Sequence, residues 1–371
     1  MITILSSMLM LLLMQADWRA AADRYKASGD ASAALAIVEK QRPRSSALED
    51  ETGFLLAALR RRPEAIARFR EAIRLSPANA SAHYHLGVAL WLEGNRESAL
   101  KSLTESTVRS PGNLEYWQRY AIAASESGDR VRALAAYQRV VALKPTCLEC
   151  RNSLSFLLVD QGFAAKGQAE ALYVLAREPK NLAAMSNLGF AYLQKNQLAK
   201  AIDVYQRALA IAPGSAVMHY NLGLSYKQKD DLEGAQKHLA QAIEFDPQLI
   251  EAHYTLGIVH WQNGEFDQAD QHFAAAVKLS PDYADAWAMH GTVLRQKGHF
   301  AEAKPALEQA IRLKPEDPGP YSQMAQLLRA EGDAEGARKY LAEAATRKAA
   351  KEAMQREMFD RSSAPRPKAI P

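Results

Sequence analysis

The sequence predicts an all-α solenoid of tandem 34-residue helical hairpins, and three observations carry that prediction. Prolines stand at 43, 77, 111, 145, 179, 213, 247, 281 and 315, every interval being 34 residues, and a period of that length marks a stacked repeat architecture. Counting back 24 residues from each proline from Pro77 onward gives only small residues: Gly53, Gly87, Ala121, Ser155, Gly189, Gly223, Gly257 and Gly291, with Ala325 one period later. Twelve residues further on, the side chain is small again: Ala65, Ala99, Ala133, Gly167, Ala201, Ala235, Ala269, Ala303 and Ala337. Small residues at these spacings let two short helices approach through their backbones.

Each element of the repeat follows in turn. In 182–215, Leu188, Ala191 and Tyr192 share one helical face and Ala201, Tyr205 and Ala208 another, the spacing of three and four that defines an amphipathic helix. A polar turn separates them. Gly94, Gly128, Gly162, Gly264, Gly298 and Gly332 fall in that turn, where a positive φ after a helix costs glycine least. The ladder proline then ends the second helix, because it lacks an N–H and biases its predecessor away from the helical region. Pro63 suits the start of a helix; Pro305 falls inside one, where a local kink is expected.

These residues resemble the tetratricopeptide repeat, whose pattern appears here as Trp117, Leu188-Gly189, Tyr192, Ala201, Tyr205, Ala208 and Pro213. The resemblance covers nine units, 46–79, 80–113, 114–147, 148–181, 182–215, 216–249, 250–283, 284–317 and 318–351. It implies a right-handed superhelical solenoid with first helices on the concave face, in which each unit packs mainly on its neighbours. Residues 17–45, with a Gly29-Asp30 turn, read as a degenerate amino-terminal cap. Unit 148–181 is the weakest, with Arg151 in the aromatic position, Ser155 for glycine and Gly167 for alanine, and is expected to pack loosely.

The termini carry other signals. Ile2 to Met14 is apolar apart from Thr3, Ser6 and Ser7; about 13 residues are too few to cross a bilayer and fit a signal-peptide core, with 1–16 as the leader and a cut after Ala16. Periplasmic or secreted location is the expectation, with a buried capping helix or a wrong start codon in a cytoplasmic protein as the alternative. Residues 352–371 read as the end of a capping helix followed by a loose basic tail. With 46 Lys+Arg against 42 Asp+Glu, the net charge of +4 demands no nucleic-acid partner. Eight arginines (42, 44, 60, 61, 62, 68, 70 and 74) nevertheless crowd the first unit, and Arg338 to Lys368 holds nine basic and four acidic residues. These ends read as solvated faces, with an anionic partner or membrane surface as the alternative.

Catalytic chemistry is not evident. No Gly-rich phosphate loop, His-Glu-x-x-His or Gly-x-Ser-x-Gly occurs, so neither an enzyme nor a cofactor is expected. His83, His219 and His253 occupy the large first-helix position and His260 and His290 two core-facing ones; packing explains them without a metal. The two cysteines, Cys147 and Cys150, read as a local disulfide in an exported protein. A redox motif would want a βαβ setting.

Binding residues are sought on the concave face. Gln194, Gln228, Gln262 and Gln296 repeat every 34 residues, and Asn187 and Asn221 form a shorter ladder seven residues earlier. Amide side chains both donate and accept, so they suit a peptide backbone of any sequence, and the arrangement partly resembles the asparagine ladder of long arrays in the family. Tyr84, Tyr220, Tyr254, Trp91 and Trp261 adjoin them and offer amphipathic contact area. The family's clamp for a terminal carboxylate is not matched: Ser186, Phe190, Glu251 and Thr255 surround Asn221. The resulting expectation is a non-catalytic scaffold gripping an extended peptide or partner segment of a protein. Its rivals are a structural subunit of an envelope assembly that uses convex or terminal surfaces, and a redox protein built on Cys147 and Cys150.

Overall fold

Two antiparallel helices joined by a tight turn form every repeat of the computed structural model, which describes residue 23 and residues 27–363. The apolar run Ile2 to Met14, the cut after Ala16 and residues 364–371 lie outside the described residues. The first helices are Ser46–Ala58, Ala80–Leu92, Leu114–Glu126, Leu148–Asp160, Leu182–Gln194, Ala216–Gln228, Ile250–Gln262, Ala284–Gln296 and Pro318–Ala330. Each is followed by a second helix, from Arg62–Leu75 to the long terminal Ala334–Ser363. No strand occurs among the described residues.

The repeats fall into two compact units, one ending at Arg177 and one beginning at Glu178. In the amino-terminal unit the helix Ala31–Glu39 is capped by Asp30 and packs on Ser46–Ala58 ahead of four hairpins. The carboxy-terminal unit holds five hairpins. Within it each second helix packs on the next first helix, and successive first helices also touch, whereas successive second helices make no comparable contact. The first helices therefore line the inner side of that stack.

The small-residue positions are where the two helices of a hairpin meet. A Cβ on Gly189 would sit 2.4 Å from the ring of Tyr205, and one on Gly257 would sit 2.8 Å from Phe273. Both rings are completely buried, so the missing side chain is filled by a large one from the partner helix. Repeat 148–181 exchanges the roles. A Cβ on Gly167 would lie 2.4 Å from Val159, and Ser155 donates to the Gly167 carbonyl at 2.8 Å. Close approach within this hairpin is thus kept from the other helix. Phe300–Leu313 continues through Pro305.

The fourth residue of the repeat has a task that the pattern alone did not reveal. In seven of the nine repeats its side chain donates to the carbonyl of the ladder proline six residues earlier: His83, Trp117, Arg151, His219, His253, Trp287 and Tyr321 do so, at 2.7–3.2 Å, whereas Glu49 and Met185 hold the place in the other two. A proline carbonyl at the end of a helix needs a donor, and imidazole, indole, guanidinium and phenol each supply one. Arg151 gains further support by lying 3.7 Å over the Tyr173 ring and pairing with Glu170. His219→Phe, which removes the donor from a buried latch, is expected to destabilise by about 1–3 kcal/mol, read from a urea unfolding midpoint. His219→Trp is expected to cost less.

The turn position of each repeat is left-handed. Six glycines hold it at φ between 74° and 87° among Gly94, Gly128, Gly162, Gly264, Gly298 and Gly332, but Arg60, Asn196 and Asp230 occupy it in three repeats with φ of 62°, 55° and 64°.

The arginines of the first repeat are largely spent internally. Arg44 and Arg68 pair with the buried Glu49, Arg61 with Glu64, Arg62 with Glu93 and Arg74 with Glu71. Among the described residues, no helix is long and apolar enough to cross a membrane.

Candidate functional site

The fifth and sixth residues of the first helices reach the neighbouring first helix or its N-cap, which identifies the face they share. In the amino-terminal unit His85 contacts Asp50 at 2.8 Å, and Tyr84 donates to Glu115 at 2.8 Å while stacking 4.6 Å from Tyr116. In the carboxy-terminal unit Asn221 donates to Ser186 at 3.3 Å, and Tyr254 lies 5.0 Å from Tyr283.

Several residues expected to face a ligand are occupied by this packing. Asn187 is buried, and Asn221 is half-buried and bonded to Ser186 of the preceding repeat, so neither amide stands open to a ligand. Trp91 is buried, with the Arg96 guanidinium 3.8 Å over its ring, and is withdrawn from the surface as well. Tyr84, Tyr220 and Tyr254 are half-buried. Burial first, and then Glu115, pushes the Tyr84 hydroxyl up; burial does the same to Tyr220, whose hydroxyl pairs with Thr255. These tyrosines are spacers between repeats more than free contact area.

The glutamines are displaced for a different reason. Gln194, Gln228, Gln262 and Gln296 are each the last residue of a first helix and all are exposed. The left-handed residue two positions later turns the chain there, so this ladder runs along the turn edge. Seven residues separate it from the asparagines, about 10 Å along a helix axis, and the two ladders form two places and not one.

At that edge a cleft of about 480 Å³ opens within the carboxy-terminal unit, lined by Asp230, Leu232, Trp261, Gln262, Phe266 and Gln296. The Trp261 indole N–H donates to Gln296 Oε1 at 2.8 Å. Trp261, Gln262 and Gln296 come together here, at the turn edge and not in the concave groove expected of them, whereas Asp230, Leu232 and Phe266 were not foreseen. Asp230 was detectable: it stands where the period puts glycine in six other repeats.

A second set was also missed. Phe54, Val88, Ile122, Phe156, Phe190, Leu224 and Ile258 recur at the 34-residue interval, four residues beyond the fifth position and hence on the same helical face. Phe54, Ile122 and Phe156 remain 42%, 38% and 45% exposed, and the Phe54 ring lies 5.4 Å from His85 of the next first helix.

The histidines form pairs across each hairpin. His219 and His253 give their Nε2–H to proline, which leaves Nδ1 as acceptor for Nδ1–H of His238 and His272, each at 3.3 Å. His260 stacks on His272 at 5.3 Å and approaches Glu265 at 2.5 Å. His290 contacts Asp270 at 2.9 Å. Burial, reinforced by His260 and His253, pushes His272 down to about 4, and burial lowers His238 and His290 too. Among the described residues no group of three or more His, Cys, Asp or Glu side chains is placed to hold a metal ion. Cys147 and Cys150 are joined by a disulfide between the N-cap and the first turn of Leu148–Asp160.

Comparison with known proteins agrees with this architecture. Two family profiles described as tetratricopeptide repeat match residues 254–318 and 294–356, and one described as TPR repeat matches 61–94, 189–230 and 224–264. Together they span more than half of the chain. No curated protein matches it. Among solved structures, a tetratricopeptide repeat protein from Parabacteroides merdae ATCC 43184 superposes with a TM-score of 0.57 at 14% identity, over 68% of this chain and 100% of that one. A thermophilic TPR protein of Thermus thermophilus gives 0.46 at 21% identity, over 49% and 99% of the two chains. MamA gives 0.43 at 25%, over 44% and 96%.

Proposed function

Since the chain belongs to the tetratricopeptide repeat family, whose members are generally interaction scaffolds without catalysis, we propose that it binds an extended segment of a partner protein along its first-helix face. The apolar ladder carries this reading. An exposed large apolar side chain is informative where it repeats in register, and Phe54, Ile122 and Phe156 do so on the face where first helices meet. Core demands do not explain them, because the hairpin interior is already filled from the small-residue positions. Spacing by repeat, one apolar contact per hairpin, suits an extended or helical segment that supplies apolar side chains at matching intervals.

The test replaces Phe54, Ile122 and Phe156 together with serine and captures partners from native extract. Helical content by circular dichroism is expected to be unchanged and specific partners lost by tenfold or more; retention of every partner at full yield would defeat the reading. Variants of Asn187 or Tyr220 would be poorer probes, since Asn187 is buried and the Tyr220 hydroxyl pairs with Thr255 of the next repeat. The proposal places the protein outside the cytoplasm, with Cys147 and Cys150 oxidised as a staple at the entry to Leu148–Asp160. Amino-terminal sequencing of the mature protein tests the placement: a chain beginning near Asp17 supports it, and an intact Met1 opposes it.

A further inference from the structure

We propose that the turn-edge cleft of the carboxy-terminal unit is a subsite for a cationic side chain, preferably arginine, of a bound polypeptide. Only in taking a polypeptide as the ligand does this rest on the reading above. The cleft has one apolar side chain, two aromatic rings, two amides and a single charge: Leu232, Trp261, Phe266, Gln262, Gln296 and Asp230. Its volume of about 480 Å³ suits one side chain with its methylene stem and falls among ordinary ligand clefts.

The charge balance selects the sign of the ligand. Lys297, next in sequence to Gln296, is held by Asp267 at 2.9 Å and Asp270 at 2.7 Å, so its charge is already answered. Asp231 is engaged as well, its carboxylate accepting from the Gly234 N–H at 2.9 Å. Among the described residues the Asp230 carboxylate has neither a hydrogen-bond nor an ion-pair partner. An anion would be repelled by it, and a wholly apolar group would strip water from it without compensation. A guanidinium presents five donors, no acceptor and a flat face. It can pair with Asp230, donate to the Gln262 or Gln296 amide oxygen and lie against Trp261 or Phe266.

Asp230 also occupies a backbone position that disfavours it. With φ 64° it stands in the turn where six other repeats use glycine, and a residue with a Cβ is held there at a cost. Arg60 and Asn196 hold the same conformation in two other repeats, so the backbone alone does not single Asp230 out; what does is its carboxylate, which no internal contact among the described residues uses and which faces the cleft.

The test uses full-length protein and the peptide acetyl-Gly-Gly-Arg-Gly-Gly-amide, with its citrulline counterpart as the uncharged isostere. Binding is followed by the Trp261 indole N–H resonance, identified with Trp261→Phe. The arginine peptide is expected to shift that resonance saturably and to bind at least tenfold more tightly than the citrulline peptide, with the preference shrinking as salt rises. Asp230→Gly is expected to abolish the preference without lowering the thermal midpoint, because glycine suits the turn. Equal binding of citrulline, an unmoved Trp261 signal, a preference that survives Asp230→Gly, or a lowered midpoint in that variant would overturn the assignment. So would cellobiose shifting Trp261 where the arginine peptide does not. None of these outcomes bears on the apolar ladder, which is read out separately through Phe54, Ile122 and Phe156 in the other unit.

Discussion

Tyr205→Ala is expected to destabilise the carboxy-terminal unit by about 3–5 kcal/mol, the range for truncating a buried aromatic, and to lower its thermal midpoint by about 10 °C. Tyr205 is completely buried, and its ring occupies the place where a side chain on Gly189 would stand, 2.4 Å from that missing Cβ. Truncation therefore opens a void between the helices of one hairpin. Gly189→Ala is expected to cost about 1–3 kcal/mol for the opposite reason, overpacking. Combined, the two should cost less than their sum, since the added methyl enters the space the ring vacates. The check is a double-mutant cycle from urea unfolding of the full chain. Strict additivity would show that the ring and the glycine do not share one space. Tyr205→Phe should change little, as the hydroxyl reaches only the Ser186 carbonyl, at 3.4 Å.

Acidification is the second large perturbation. His238, His272 and His290 all titrate below their ordinary value in the fold, mainly through burial, with His272 down to about 4. An unfolded chain takes up a proton near pH 6.5 where the folded unit resists it. The stabilising effect of neutral histidine is thus complete above about pH 6.5 and is lost progressively as the pH falls toward 4. His272 is faced by His253 and His260, so its protonation would place cations together inside the hairpin pair. The thermal midpoint of the carboxy-terminal unit should fall by several degrees between pH 7 and pH 4.5, and His272→Phe should flatten that slope. If wild type and variant lose stability in parallel, the histidine pairs are not the source.

How much of this was legible in the sequence depends on what each residue is asked to do. Proline and glycine act through backbone geometry alone, so the 34-residue ladder from Pro43 to Pro315 and the turn glycines revealed the hairpins and their stacking. Trp91 and Asn187 failed as surface residues because burial depends on neighbours that spacing alone does not show: Arg96 of the same repeat covers one, and the other is buried by the packing around it. Helix length set the fate of the glutamines, which a helical wheel places correctly in angle and wrongly in depth. Phe54, Ile122 and Phe156 were overlooked although strictly periodic, since an apolar residue in an amphipathic helix looks the same whether it is covered or open. Asp230 needed only the comparison with its glycine counterparts.

The latch between the fourth residue and the ladder proline has an evolutionary corollary. Because the carbonyl asks only for a polar hydrogen at a given reach, drift among four chemically distinct side chains leaves the geometry intact. Each hairpin that carries the latch is thereby free to acquire a private trait at no architectural expense. Proton sensitivity comes with imidazole, permanent charge with guanidinium and a broad ring with indole, so near-identical modules can diversify while their spacing stays constant.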